Sequence, residues 1–355
     1  MTSDAARDAV VAVDAQAGRD ARTRIDALTK PVGSLGRIED LAVRLSAIAG
    51  RVVDRPYDRA AILIGAGDHG VTAEGVSAYP AEVTPQMVGA FCGDFAAINA
   101  FARVAHADVF VANFGVAADV PPHPRLIDVR IERGTRNFAR GDAMRADDVE
   151  LALAAGIAAV DDVLSRASYD VLALGEMGIG NTTSAAAITA ACTGASAKSV
   201  TGRGTGIGDE SLGVKRRIVS EAVLALAGAS WARIAAAVGG YEIVGLAGAI
   251  LGAAARRIPI VLDGFIVASA ALLAVRIAPA ARDYCIAAHR SPEPGHRIAL
   301  ESLGLEPLLD LDLRLGEASG AALALPLVEA ATRMICEMKT FAEAGVAEAD
   351  PSHAV

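Results

Sequence analysis

The chain is predicted to be an α/β protein with a mainly parallel sheet flanked by helices, and with helices from its two ends pairing beside that sheet. Three observations predict this. Of its 355 residues, 53% are hydrophobic and only 4% aromatic, with alanine and glycine dominating the apolar fraction, which suits helices packed closely on a sheet better than an aromatic-rich sandwich. Short apolar runs alternate with longer stretches of helical periodicity. Several of these runs end in Gly, Asp, Glu or His just before the next helix, as buried parallel strands do at a ligand-binding edge.

Taken in order, residues from about 4 to 50 are helical in pattern on both sides of a break, Lys30 to Gly36, whose proline and two glycines cannot continue a helix. Strand-like runs follow near 60–67, 107–115 and 125–131, and again near 169–178, 257–264 and 282–289. The stretch from Ala318 to about Ala344 returns to helical periodicity, so the chain ends are expected to form a small helical domain. The expected division is 1–55 plus 320–355 for the small domain and 56–319 for the large α/β domain.

Composition excludes several classes. Lys and Arg total 33 against 42 Asp and Glu, a formal net charge of −9, which argues against a sequence-independent grip on nucleic acid. Cys92, Cys192, Cys285 and Cys336 form no CxxC pair, so neither a zinc site nor a disulfide framework is expected, and a reducing cytoplasm fits. The acidic N-terminal segment lacks the basic start and apolar core of an export signal. The most membrane-like stretch, Ile258 to Val275, is interrupted by Pro259 and by Asp263-Gly264; it reads as strand, turn and helix, and no membrane span is expected.

Among the motifs, Gly65-Ala-Gly67-Asp-His-Gly70 has GxGxxG spacing after a strand-like run, which admits a dinucleotide site and with it an NAD-dependent oxidoreductase. Pro80 and Pro85 interrupt the helix such a site needs, and a plain strand-exit turn explains the glycines equally well. Asp68 and His69 stand either where that turn would face a ligand or where they satisfy local backbone groups. The segment from Gly175 to Thr183 carries a stronger signal. Its glycines let the backbone approach an anion, a helix N-terminus adds partial positive charge, and Asn181, Thr182 and Thr183 add polar groups. Phosphate binding is the favoured reading, and simple helix capping is the alternative.

A second glycine-rich loop, Thr201 to Gly208, is followed at helical distance by Lys215, Arg216 and Arg217. Lys215 is positioned to neutralise a phosphate held by both loops, whereas the two arginines read as a solvated face. The loop from His289 to His296 matches no metal-binding spacing, and its prolines make it a shaped loop. Glu317 stands near the first turn of the last long helix. The helix dipole there would lower its carboxyl, an apolar pocket would raise it towards the range of a general base, and sequence alone leaves both open.

Together these segments resemble the nicotinate-nucleotide:dimethylbenzimidazole phosphoribosyltransferases of cobalamin lower-ligand assembly. The matches run from Lys30–Gly36 through Met338–Val346, nearly the whole chain. The most specific are Gly67–Val71, Val76–Pro80, Gly175–Thr183, Leu262–Phe265, His289–His296 and Leu308–Ala322.

The resemblance implies transfer of phosphoribosyl from nicotinate mononucleotide to 5,6-dimethylbenzimidazole, giving nicotinate and α-ribazole 5'-phosphate with inversion at the anomeric carbon. It also implies no metal or other cofactor, a Rossmann-like large domain, and a cytoplasmic homodimer. Glu317 matches the catalytic glutamate, and Glu176 matches a second acidic position at the active site. Ser77, Tyr79, Gln86, Met87 and Met177 fall at the benzimidazole pocket. Gly178, Asn181, Thr182, Gly202, Gly204 and Lys215 fall at the nucleotide phosphate and ribose, and Ser291, Leu315 and Gly316 border the nicotinate. Ala318 departs from the glycine usual after the catalytic glutamate. A transferase using adenine or a phenolic base, and a noncatalytic nucleotide-binding protein, are the remaining alternatives.

Overall fold

The computed structural model describes residues 1–347. It divides into two compact units, Met1–Val11 with Arg59–Ala324, and Ala12–Asp58 with the residues from Leu325 onward.

The larger unit is built on six strands: β1 (Ala60–Gly67), β2 (Ala107–Gly115), β3 (Leu126–Asp128), β4 (Val171–Met177), β5 (Ile260–Leu262) and β6 (Cys285–Ala287). All neighbours pair in parallel, in the order β3-β2-β1-β4-β5-β6. The apolar runs of β1 and β4 are buried along their whole length, because helices cover both faces of the sheet. Ile62, Leu63 and Ile64 are 0% exposed, and each such burial contributes about 1.5–3 kcal/mol.

In register, Gly65 of β1 pairs with Glu176 of β4, so the two strands end side by side. That is also where the strand order reverses, with β2 and β3 on one side and β5 and β6 on the other. Open parallel sheets offer a ligand crevice at that point.

The abundance of small residues has a direct use in the helical layer. A Cβ built on Gly156 of the Ala146–Arg166 helix would lie 1.7 Å from the Gly245 carbonyl oxygen in the Tyr241–Ala254 helix. These two helices meet backbone to backbone, an approach that larger side chains would prevent.

All six strand-like runs are strands, in the expected order. The runs near 125–131, 257–264 and 282–289 yield only three paired residues each. Pro259, with no N–H, precedes β5, and Pro279 opens a 3-10 turn, Pro279–Tyr284, that takes up the approach to β6. The Ile258–Val275 stretch is strand β5, an Asp263-Gly264 turn and the Phe265–Ile277 helix. Two stretches, Val83–Val104 and Ser319–Glu337, are long and apolar enough to cross a membrane by composition. The first is two helices, Val83–Cys92 and Ala97–Val104, and most of the second is buried.

In the smaller unit, helices Ala15–Asp26 and Arg37–Ala49 flank the expected break, where Gly33 and Gly36 adopt positive φ. Lys30 in that break lies 2.8 Å from Glu39, a buried ion pair. The chain ends are tied by backbone bonds, Thr29 N–H to the Lys339 carbonyl at 3.0 Å and Phe341 N–H to the Ala27 carbonyl at 3.1 Å.

The unit boundaries differ from expectation at the N-terminus, because helix Ser3–Ala9 belongs to the larger unit. Its terminal amine meets Asp161 at 3.0 Å, Arg7 meets Glu150 at 3.0 Å, and the Arg7 guanidinium covers the Trp231 ring at 5.2 Å. Partners so distant in sequence leave no mark on local periodicity.

Candidate active site

The carboxyl ends of β4, β5 and β6 open onto a cavity of about 330 Å³ in the larger unit. Strand β4 delivers Glu176 and Met177 to it, and Gly180, at φ +92°, turns the chain into the Asn181–Thr193 helix. Glu176 is 6% exposed and accepts a hydrogen bond from the Asn181 side-chain amide. Burial pushes its carboxyl up to about 8, against the Asn181 bond, and the neighbouring acids Asp263, Glu242 and Glu317 push the same way. Asn181 thus directs an amide N–H at Glu176 while lining the cavity.

Opposite β4 lies the segment that carries Glu317. Gly316, Glu317 and Ala318 take φ of +83°, +61° and +63°, three consecutive left-handed residues. A left-handed non-glycine residue costs about 1–2 kcal/mol, so such a turn persists only where its surroundings hold it. Ser319 N–H closes it onto the Gly316 carbonyl at 3.0 Å. Gly175 of β4 makes room for it, since a Cβ there would lie 2.2 Å from the Ala318 nitrogen, and a Cβ on Gly316 would lie 2.4 Å from a Glu176 carboxylate oxygen. Two glycines thus let the segments bearing the two acids touch.

Glu317 is 7% exposed and lines the cavity. Burial, assisted by the charge of Asp263, raises its carboxyl to about 7, and no hydrogen bond to that carboxylate exists among the described residues. Ala318 keeps its methyl fully buried in the left-handed turn.

Tyr79, Val83, Met87, Met177, Phe265 and Ile266 form the apolar wall. Val83 and Met87 are one turn apart on the Val83–Cys92 helix, which fixes them on one face. Gln86, on the same helix, is exposed and does not line the cavity, and neither does Ser77. Ser77 instead lies 3.3 Å from the Thr205 hydroxyl, which also accepts the Ala78 N–H at 2.9 Å, tying its loop to the second glycine-rich loop.

Thr182, Gly204 and Lys215 are brought together as the two-loop reading requires. Lys215 donates to the Thr182 hydroxyl at 2.8 Å, and a Cβ on Gly204 would lie 3.3 Å from the Lys215 amine. Lys215 is fully buried, and burial pulls its amine down to about 8, with Glu293 opposing. Gly178, Asn181, Thr182, Gly204, Ser291, Leu315 and Gly316 all border the main cavity, whereas Lys215 stands behind Thr182 and Gly202 lines an adjoining pocket with Arg203 and Glu293.

Sequence reasoning did not assign Thr205, Phe265, His289, Glu293 and Arg314 to the site, yet all border the cavity. Their signal was weak: Phe265 and His289 stand just beyond short strands, and Glu293 lies in the shaped loop. Glu293 accepts the Gly204 N–H at 2.9 Å. His296, whose ring burial pulls down to about 3, stays neutral and accepts the Ser291 N–H at 3.0 Å.

The GxGxxG segment is a strand-exit turn packed on protein. A single 3-10 turn, Gly70–Glu74, follows it, and a Cβ on Gly67 would lie 2.8 Å from a Glu242 carboxylate oxygen. Asp68 accepts the Ala117 N–H at 2.8 Å, and His69 Nε2 meets Glu242 at 2.6 Å with both side chains fully buried.

The phosphoribosyltransferase family model DBI_PRT matches residues 10–346. A nicotinate-nucleotide–dimethylbenzimidazole phosphoribosyltransferase of Chloroflexus aggregans is 50% identical over 339 residues, covering 95% of each chain. One of Geobacter sulfurreducens is 51% identical over 344 residues, covering 95% of this chain and 96% of its own. The crystal structure of CobT from Thermus thermophilus superposes with a TM-score of 0.91 at 49% identity, over 94% of this chain and 100% of that one.

Proposed function

Because this chain belongs to the phosphoribosyltransferase family, we propose that it transfers the phosphoribosyl group of nicotinate mononucleotide to 5,6-dimethylbenzimidazole, releasing nicotinate and forming α-ribazole 5'-phosphate for the nucleotide loop of cobalamin. The observation that carries this reading is the Glu317 carboxyl, raised to about 7 beside a flat apolar wall and unclaimed by any donor among the described residues. A general base works best when its pKa lies near the working pH.

In the reaction the bond between the ribose anomeric carbon and the pyridine nitrogen of nicotinate breaks, its electron pair passing to that nitrogen. One benzimidazole nitrogen forms the new bond from the opposite face of the ribose, and the proton on its other nitrogen passes to Glu317. Atoms and electrons balance without an oxidant, reductant or cofactor. Positive charge develops on the ribose as the old bond breaks, and Glu176, when ionised, stabilises it electrostatically. Tyr79, Met87 and Met177 hold the flat acceptor, with Ser77 and Gln86 at the pocket rim. Gly178, Thr182, Gly202, Gly204 and Lys215 hold the phosphate and ribose, Asn181 fixes Glu176, and Ser291, Leu315 and Gly316 border the nicotinate. The same reading makes the protein a cytoplasmic homodimer that acts on small molecules, with no membrane span.

Incubation of the purified protein with nicotinate mononucleotide and 5,6-dimethylbenzimidazole, followed by chromatography, tests it. Equal amounts of nicotinate and α-ribazole phosphate are expected. Nicotinate without the ribazole product, or no nicotinate, would overturn the reading, and adenine or a phenol outcompeting the benzimidazole would reassign the acceptor.

A further inference from the structure

Asp263 follows β5 and lies behind the cavity, 1% exposed. Its own N–H donates to the Leu174 carbonyl of β4 at 3.2 Å, fixing it to the sheet. Its carboxylate accepts the Ala321 N–H at 3.0 Å, and the backbone N–H groups of Ala318 and Gly320 favour its charged form. These are the residue after Glu317 and the first turn of the Ser319–Glu337 helix. The cap of this helix is thus supplied by another element, and that contact anchors the helix directly after the left-handed turn that carries Glu317. His289 stands beside this arrangement from just beyond β6. Its Nδ1 lies 3.7 Å from Asp263, and a Cβ on Gly320 would lie 2.0 Å from that nitrogen.

We infer that Asp263 is a positioning residue for the transfer reaction: by holding the Ala321 N–H in the first turn of the helix that follows Glu317 it fixes the Glu317 carboxylate at the cavity, and its negative charge lies behind that carboxylate. This rests on Glu317 being the base proposed above. The charged and titratable groups around it are Glu317 on the turn, Glu176 from β4, Glu242 near Glu176, and His289 after β6, with the His296 ring tilted against that of His289 at 6.0 Å. Burial raises the Asp263 carboxyl, while His289 and the three amides favour its charged form. The acid Glu317 in turn feels Asp263 as its main charged neighbour.

The test is the pH profile of kcat in Asp263→Asn and Asp263→Ser, each of which keeps a capping oxygen and removes the charge. The parent enzyme is expected to lose kcat on acidification with a midpoint near 7, set by Glu317. In both variants that midpoint moves down by about one pH unit, plateau kcat falls about tenfold as the base weakens, and KM for nicotinate mononucleotide changes less than about threefold. A parent profile with no acidic limb would remove the Glu317 reading itself. An acidic limb that stays in place in a folded variant would overturn the role of Asp263 alone. Failure of both variants to give a cooperative unfolding transition would assign Asp263 to stability and equally overturn its role.

Discussion

Gly175→Ala is the substitution that most sharply separates catalysis from folding. The new Cβ would meet the Ala318 nitrogen at 2.2 Å, its Cβ at 2.5 Å and its Cα at 2.7 Å. Ordinary contacts lie at about 3.5 Å, so strand and turn must separate by roughly 1 Å. Overpacking of this kind costs about 1–3 kcal/mol, partly offset by the roughly 0.5–1 kcal/mol that alanine gains over glycine in a strand. A loss of about 1–2 kcal/mol remains, visible as a fall in Tm of a few degrees. The turn it displaces aims Glu317, and a misplacement of about 1 Å costs on the order of a hundredfold in rate. Steady-state kinetics with thermal unfolding of the same samples should therefore show kcat down about a hundredfold in a folded protein. Adding Ala318→Gly removes only the methyl contact and should restore little. A kcat within threefold of the parent would refute the view that Gly175 sets the position of the base.

Three further outcomes follow from the same geometry. Lys215→Met should raise KM for nicotinate mononucleotide by about 10- to 100-fold with KM for the benzimidazole nearly unchanged, since a hydrogen bond to a charged group contributes about 1.5–3 kcal/mol; initial rates against each substrate check it. His69→Ala leaves Glu242 buried without its 2.6 Å partner and should lower unfolding stability by about 3–5 kcal/mol in a urea titration. Glu176 sits at about 8 in the folded protein against 4.5 ordinarily, so the folded state keeps a proton that the unfolded chain has lost between those values. The stability this brings is complete below about 4.5 and disappears as pH rises through about 8. Tm of the parent should fall across that window, and Glu176→Gln should flatten the fall.

Much of this architecture was legible in the sequence because it is written locally. The β1 and β4 runs are continuous and apolar because both faces of the sheet are covered, and the glycines beyond β4 announce a sharp exit into a helix. Pro259 and the Asp263-Gly264 pair were enough to break an apolar stretch correctly into strand, turn and helix. The tertiary environment was not legible. Nothing local to Glu317 tells that it is raised; burial in the cavity wall does most of it, and the charge of Asp263, far back along the chain at the end of β5, adds to it. The bond from Asn181 to Glu176 was not legible either, because its partner lies back along the strand, a contact that the turn at Gly180 creates. The N-terminal helix was placed in the wrong unit for the same reason, since Asp161, Glu150 and Trp231 hold it across long sequence separations.

The central claim is that one carboxylate takes the proton of the attacking heterocycle. Glu317→Gln keeps the shape of the side chain and removes its basicity, so the decisive measurement is single-turnover formation of α-ribazole phosphate by this variant, with nicotinate mononucleotide affinity measured calorimetrically on the same protein. The rate should fall by about two orders of magnitude or more while affinity stays within a few-fold of the parent. A variant that binds the nucleotide normally and turns it over at the parental rate would contradict the account.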